Sequence, residues 1–186
     1  MDKQLAFLQE IDKLKSVVRK SPLIDQSRRE NSAEHSWHLA MYALILADSS
    51  NQAIDINRVI RMLLIHDIVE IDAGDHPLHG AADNGQQEVL EQQAAQRLFG
   101  LLPENQGREL IELWREFEAG TSDDAAFAKA LDRFQPLIHN VATGGGTWLE
   151  ANVTEAQVNE RYGPTINKGS ASLWSKAKNL VENHFR

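Results

Sequence analysis

Asp55-Ile56-Asn57-Arg58-Val59-Ile60-Arg61-Met62-Leu63-Leu64-Ile65-His66-Asp67-Ile68-Val69-Glu70-Ile71-Asp72 is the most apolar stretch of the chain, and it ends in a dense group of ionisable side chains. Its apolar residues recur at helical spacing around much of the circumference, which predicts a central helix packed on several sides. His66, Asp67 and Glu70 then lie inside a buried element, where an unpaired charge is costly. On a regular helix His66 and Glu70 stand one turn apart on one face, with Asp67 displaced around it. A single ion can meet His66 and Asp67 only from between them, with further ligands brought by other helices. Taken alone, a His-Asp dipeptide is weak evidence of a ligand pair and reads more readily as an ordinary pair on a helix surface or beside a site.

Working outward, three- and four-residue apolar spacing predicts helix after helix. The first covers about 3–18, with Leu5, Leu8, Ile11, Leu14 and Val18 as its stripe and Pro22 beyond its end. A polar loop over 25–31 leads to a second helix capped by Asn31 or Ser32 and running to about 49, with His35 in its first turn. Trp37, Met41, Leu44 and Ile45 are expected on its buried side. After the central helix, 73–85 reads as a structured loop. Helices follow over about 86–99, over about 104–119, and from Thr121 or Ser122 to about Val141 with Asp132 inside, and a closing helix spans about 167–183. Gly144-Gly145-Gly146 reads as a flexible turn, since it lacks the spacing and the Lys-Ser or Lys-Thr of a phosphate-binding loop. Alternating Val, Ile and Thr runs are missing, so the expected fold is an all-α bundle of about six to eight helices. A single domain over 1–186 is expected, with its functional core over about 20–140.

Composition narrows the chemistry. The 186 residues are 42% hydrophobic, enough for one substantial core. With 19 Lys and Arg against 27 Asp and Glu, the net charge of -8 disfavours a nucleic-acid partner while leaving room for a small phosphorylated ligand. The absence of cysteine excludes disulfides, thiolate nucleophiles and sulfur-ligated metals, so any metal is held by nitrogen and oxygen. The polar N-terminus and the lack of a long apolar run predict a cytoplasmic protein with no membrane contact.

Three segments carry a recognisable pattern: Arg28-Arg29-Glu30-Asn31-Ser32-Ala33-Glu34-His35; Ile65-His66-Asp67-Ile68-Val69-Glu70 continuing to Gly74-Asp75; and Lys129-Ala130-Leu131-Asp132. In this order they resemble the HD-domain phosphohydrolases, in particular the branch containing bacterial 5'-deoxynucleotidases, over most of residues 10–140. The resemblance implies that His35, His66, Asp67 and Asp132 ligate one divalent ion, with Mn, Co, Ni, Fe, Zn and Mg as candidates. It implies Glu70 as the carboxylate that orients or deprotonates water, and Asp75 as a donor to the leaving oxygen or a ligand of a substrate hydroxyl, against a plain loop-capping role. Arg28 corresponds to the family's basic position and is expected on phosphate or on an acidic neighbour. Glu34 is expected to fix an imidazole or to bind Arg28.

Lys20 and Ser21 replace an arginine and a tryptophan found in relatives that discriminate deoxyribose. Lysine keeps a phosphate-attracting charge, but serine offers no aromatic body beside the sugar. His76 and His79 lie near the expected cleft as possible substrate contacts. His139, two turns beyond Asp132 on the same helical face, is expected to support or line the site. The resulting expectation is a phosphomonoesterase acting on nucleoside or deoxynucleoside 5'-monophosphates, with a homodimer as its assembly. Hydrolysis of another small phosphorylated metabolite, a nucleotide polyphosphate or a cyclic nucleotide is the second reading, and a metal-bound helical sensor is the third.

Overall fold

A computed structural model describes residues 1–76, 78 and 84–186, without the side chain of residue 84. Helices dominate, as the spacing predicts: α1 (Asp2–Glu10), α2 (Ser32–Leu46), α3 (Ile56–Ile65), α4 (Glu70–Ala73), α5 (Asn84–Phe99), α6 (Glu104–Ala119), α7 (Asp123–Ala142), α8 (Gly146–Glu150), α9 (Glu155–Gly169) and α10 (Ala171–Phe185). Among the described residues, no helix is long and apolar enough to cross a membrane.

The caps follow from the residues. Asn31 accepts from the Glu34 backbone N–H while the Glu34 carboxylate receives the Asn31 N–H, so a capping box starts α2 at Ser32, three residues before His35. Asp55 caps α3 and Ser122 caps α7, each through a side-chain oxygen.

The core is built around α7, whose Phe127, Leu131 and Leu137 are fully buried. Its small residues let α9 approach closely: a Cβ on Gly169 would lie 2.3 Å from the Ala126 carbonyl oxygen. Met62 and Leu63 of α3 and Leu39 of α2 complete the same cluster. The two helices that bear candidate ligands, α2 and α7, and α3, which leads into the segment bearing the other two, therefore meet along one apolar seam, which fixes their backbones without help from the polar groups.

Several expectations are corrected. The first helix stops at Glu10, continues as a 3-10 turn over Ile11–Ser16, and gives way to a strand β1 (Val18–Pro22), which pairs antiparallel with β2 (Arg29–Asn31). The β-branched Val17-Val18 pair favours extension, and Gln26 at φ 58° makes the turn back, with Asp25 accepting from the Ser27 N–H. The central helix is not continuous either, since a 3-10 segment over His66–Val69 separates α3 from α4.

On α2, the predicted buried face is reversed. Trp37, Met41, Leu44 and Ile45 are exposed, while His35, Ser36, Leu39, Ala40 and Ala43 are buried. Large apolar side chains misled the reading, because the close helix contact here uses small ones.

The expected closing helix is α10, which starts at Ala171 rather than about 167, and it is preceded across Ser170 by α9, a helix the spacing did not predict. The glycine run is a fixed turn: Gly144, Gly145 and Gly146 all have positive φ, and Asn140 Oδ1 accepts from the Thr147 N–H at 2.7 Å and its hydroxyl at 2.9 Å. It redirects the chain from α7 into α8.

Candidate metal centre

His35 enters from the first turn of α2, His66 and Asp67 from the 3-10 segment after α3, and Asp132 from the middle of α7. His35 Nε2 lies 3.0 Å from Asp132 Oδ1, and His66 Nε2 lies 3.0 Å from Asp67 Oδ1 and 3.6 Å from Asp132 Oδ1. The donor atoms of His35, His66 and Asp132 all fall within 4.8 Å of one another.

Each imidazole is oriented from behind. His66 Nδ1 faces the Leu63 carbonyl at 2.8 Å, so its proton sits there and the Nε2 lone pair turns to the cluster. His35 Nδ1 faces Glu30 Oε2 at 3.4 Å, leaving Nε2 toward Asp132.

The fit to a cation rests on the donor set. His66 Nε2 is buried without a hydrogen-bond partner, and two carboxylates converge on it. Two imidazole nitrogens and two carboxylates suit a borderline divalent ion and leave coordination positions for a substrate or water.

Electrostatics follow from packing so much charge into a buried place. Burial works against ionising Asp67, but His66 and Arg19 outweigh it and hold its carboxyl at about 2. Burial likewise opposes ionisation of Asp132, yet the His35 and His66 imidazoles beside it bring it well below the usual range. His66 is raised despite burial, by Asp67 and Asp132. Glu70 goes the other way: burial, then the neighbouring Asp67 charge, pushes it up to about 8. Asp75 is raised chiefly by burial. Asp67 and Asp132 are thus held toward their ionised forms while burial shifts Glu70 and Asp75 the opposite way, a division suited to acid–base chemistry.

The 3-10 segment explains how Asp67 and Glu70 come together. At three residues per turn, positions i and i+3 eclipse, so both carboxylates face Arg19, whose NH1 is 2.8 Å from Asp67 and 3.6 Å from Glu70. Arg19 also stands 3.6 Å from Asp75 and 3.8 Å from Glu30. The Ser32 hydroxyl donates to Glu70 Oε2 and holds that carboxyl from the α2 side.

Arg19 and Glu30 escaped the sequence reading. Strand alternation was the available signal: between exposed Val18 and Lys20, Arg19 points inward, but a helix extended to residue 18 concealed it.

The remaining candidates divide clearly. Asp75, Lys20 and His76 line a cleft of about 220 Å³, shared with Ser21, Arg133 and Asn140. Arg28 does not line it; its guanidinium bonds Glu34 and the Arg29 carbonyl on the exposed side of the hairpin. Glu34 accordingly takes the second of its two expected roles, binding Arg28, and Glu30 is the carboxylate beside an imidazole.

His139 is buried, with Nδ1 3.2 Å from the Pro22 carbonyl and Nε2 3.1 Å from Gln135 Nε2. Glu30, His38 and His139 form a second group of potential ligands, but the Gln135 amide nitrogen occupies its middle, 2.9 Å from Glu30 Oε1 and 3.3 Å from His38 Nδ1. The amide does there what a cation would do, and it braces Glu30 behind His35. His79 lies outside the described residues.

Comparison with known proteins gives this geometry its context. The HD domain family matches residues 11–174, most of the chain. The chain belongs to the HD domain family. Human 5'-deoxynucleotidase HDDC2 is 30% identical to this HD domain over 135 residues, covering 72% of the chain and 65% of the human protein. The alignment thus spans slightly less than two thirds of that relative. Escherichia coli 5'-deoxynucleotidase YfbR is 27% identical over 160 residues, covering 80% of this chain and 79% of the bacterial protein. A crystal structure of a predicted metal-dependent phosphohydrolase from Magnetospirillum magnetotacticum superimposes with a TM-score of 0.94 at 52% identity, covering 98% of this HD domain and 91% of that chain. PH0347 from Pyrococcus horikoshii, at 19% identity and a TM-score of 0.67, shares the fold.

Proposed function

We propose that this HD domain is a divalent-metal-dependent phosphomonoesterase that releases phosphate from nucleoside or deoxynucleoside 5'-monophosphates. The observation that carries the proposal is the cluster of His35, His66, Asp67 and Asp132 with the Glu70 carboxyl at its edge, 3.6 Å from Arg19. The 5'-deoxynucleotidase names of the human and E. coli relatives support the substrate class.

In this reading those four residues hold the ion. A divalent ion supplies Lewis acidity, making water more acidic and withdrawing charge from a phosphoryl oxygen. In its ionised form Glu70 orients the attacking water and takes its proton, and the Ser32 hydroxyl keeps the carboxylate in place. The water oxygen forms the new bond to phosphorus as the ester P–O bond breaks. Asp75, on the cleft wall and disposed by burial to keep a proton, gives it to the departing 5' oxygen. Arg19 neutralises the surrounding carboxylates, so that a phosphate dianion meets less repulsion.

Phosphate release from ribo- and deoxyribonucleotides, with Mn, Co, Mg, Ni and Zn tested in turn, checks the proposal. Orthophosphate and nucleoside are the expected products. Pyrophosphate or an opened cyclic phosphate would instead favour the polyphosphate or cyclic-nucleotide reading, and inactivity of the metal-loaded protein across a broad phosphoester panel would favour a sensor.

We also propose a homodimer formed through α2. Trp37, Met41, Leu44 and Ile45 share a face by helical spacing, and Trp37 is 62% and Ile45 75% exposed. The face continues into a groove lined by Leu8, Ile11, Trp37 and Leu64. A contiguous apolar surface of this kind favours burial against another chain. Light scattering is expected to give twice the 20.9 kDa chain mass. Ile45→Glu should give the monomer mass at the same concentration, and an unchanged mass would remove α2 from the interface.

A further inference from the structure

We propose that Arg133 is the cation that binds the phosphoryl group in the cleft, and that Arg19 is committed to the protein's own carboxylates. This inference rests on the phosphomonoesterase reading above. Arg19 is largely buried and already faces Glu30, Asp67, Glu70 and Asp75. Arg28 is engaged by Glu34 and lies off the cleft. Arg133 lines the cleft with its side chain 36% exposed, and its ion-pair contact among the described residues is NH1 to Asp132 Oδ2 at 3.5 Å, too long for a strong hydrogen bond.

Its position is set by Asp132, the preceding residue on α7. That carboxylate turns Oδ1 to the two imidazoles and Oδ2 to Arg133, so the guanidinium stands at the edge where the proposed metal centre meets the cleft. Charge balance points the same way. The cleft wall includes two carboxylates, Asp75 and Glu150, and each has its own arginine: Arg19 at 3.6 Å from Asp75, and Arg29 at 2.7 Å from Glu150.

Arg133 and Lys20 are the other cations on this wall. A guanidinium presents a planar fork that matches two phosphoryl oxygens, whereas an ammonium acts as a mobile point charge. Arg133 therefore recognises the phosphoryl group, and the rest of the cleft receives the nucleoside.

The test uses full-length, Mn-loaded protein and calorimetric binding of inorganic phosphate and of an uncharged nucleoside to wild type, Arg133→Ala and Arg133→Lys. The expected result is an unchanged Mn content, at least about tenfold weaker phosphate binding in Arg133→Ala with partial retention in Arg133→Lys, and nucleoside binding within about twofold of wild type. KM for a monophosphate substrate should rise in parallel. Phosphate affinity of Arg133→Ala within about twofold of a wild type that hydrolyses monoesters would overturn the role of Arg133 and leave the enzyme reading intact. Equal loss of nucleoside and phosphate affinity would overturn it too, by showing a structural role. A wild type that neither binds phosphate nor hydrolyses any monoester would remove the phosphomonoesterase reading, and this inference with it.

Discussion

Asp132→Asn is expected to abolish retention of the proposed ion and to lower phosphate release by about 10³-fold or more, while leaving the helical bundle intact. The size of the effect comes from the position of one oxygen. Asp132 Oδ1 is approached by both His35 Nε2 and His66 Nε2, so it is the point at which α2, α7 and the 3-10 segment after α3 converge. Asparagine keeps the volume and loses the charge.

The helix survives because Phe127, Leu131 and Leu137 anchor α7 in the core independently of Asp132. Metal-free stability at neutral pH should nevertheless fall. A carboxyl held below its ordinary value contributes stability above its unfolded-state pKa, and this contribution is lost as pH falls through the folded value. Metal content, rate and far-UV circular dichroism of the same preparation check all three statements. Full metal retention in a folded Asp132→Asn protein would contradict them.

Glu70→Gln separates the ion from proton transfer. Glu70 sits beside the cluster and contacts Arg19 and Ser32, so its amide should leave metal content unchanged. Loss of the base should lower kcat by about 10²- to 10⁴-fold.

The same substitution has a second signature in the metal-free protein. Burial raises the Glu70 carboxyl from its ordinary 4.5 to about 8, so the folded chain binds an extra proton between those values. Stability therefore falls as pH rises from 4.5 toward 8, and the full cost is present above 8. Glutamine removes this cost. Glu70→Gln should melt close to wild type in acid and progressively higher as pH rises, as read by thermal denaturation after chelation. Equal melting temperatures across that range would contradict a net burial cost at the Glu70 carboxyl.

These two positions also show what the sequence made legible. His35, His66, Asp67, Asp132, Glu70 and Asp75 were marked by motif order, and the structure gathers them within one region. Helix boundaries that rest on caps were readable too: Asn31, Asp55 and Ser122 each satisfy backbone donors by local chemistry, so position in the sequence is enough.

Long-range choices were harder. Trp37 and Ile45 looked like core because apolar size was taken as burial, whereas α2 packs through Leu39, Ala40 and Ala43, and only the shape of the neighbouring helices decides which face fits. Arg19, Glu30 and Gln135 were hidden for a related reason. Their roles depend on where the hairpin lies against α7, as in the bond from Gln135 to Glu30 across a chain separation of 105 residues. Arg28, chosen for its place before the first histidine, finds Glu34 nearby and is drawn to the surface.

Anomalous diffraction from crystals of the Mn-loaded protein tests the central claim most directly. The expected map has one strong peak per chain, about 2.0–2.3 Å from His35 Nε2, His66 Nε2 and carboxylate oxygens of Asp67 and Asp132. A peak among Glu30, His38 and His139 with none between the four residues would contradict it.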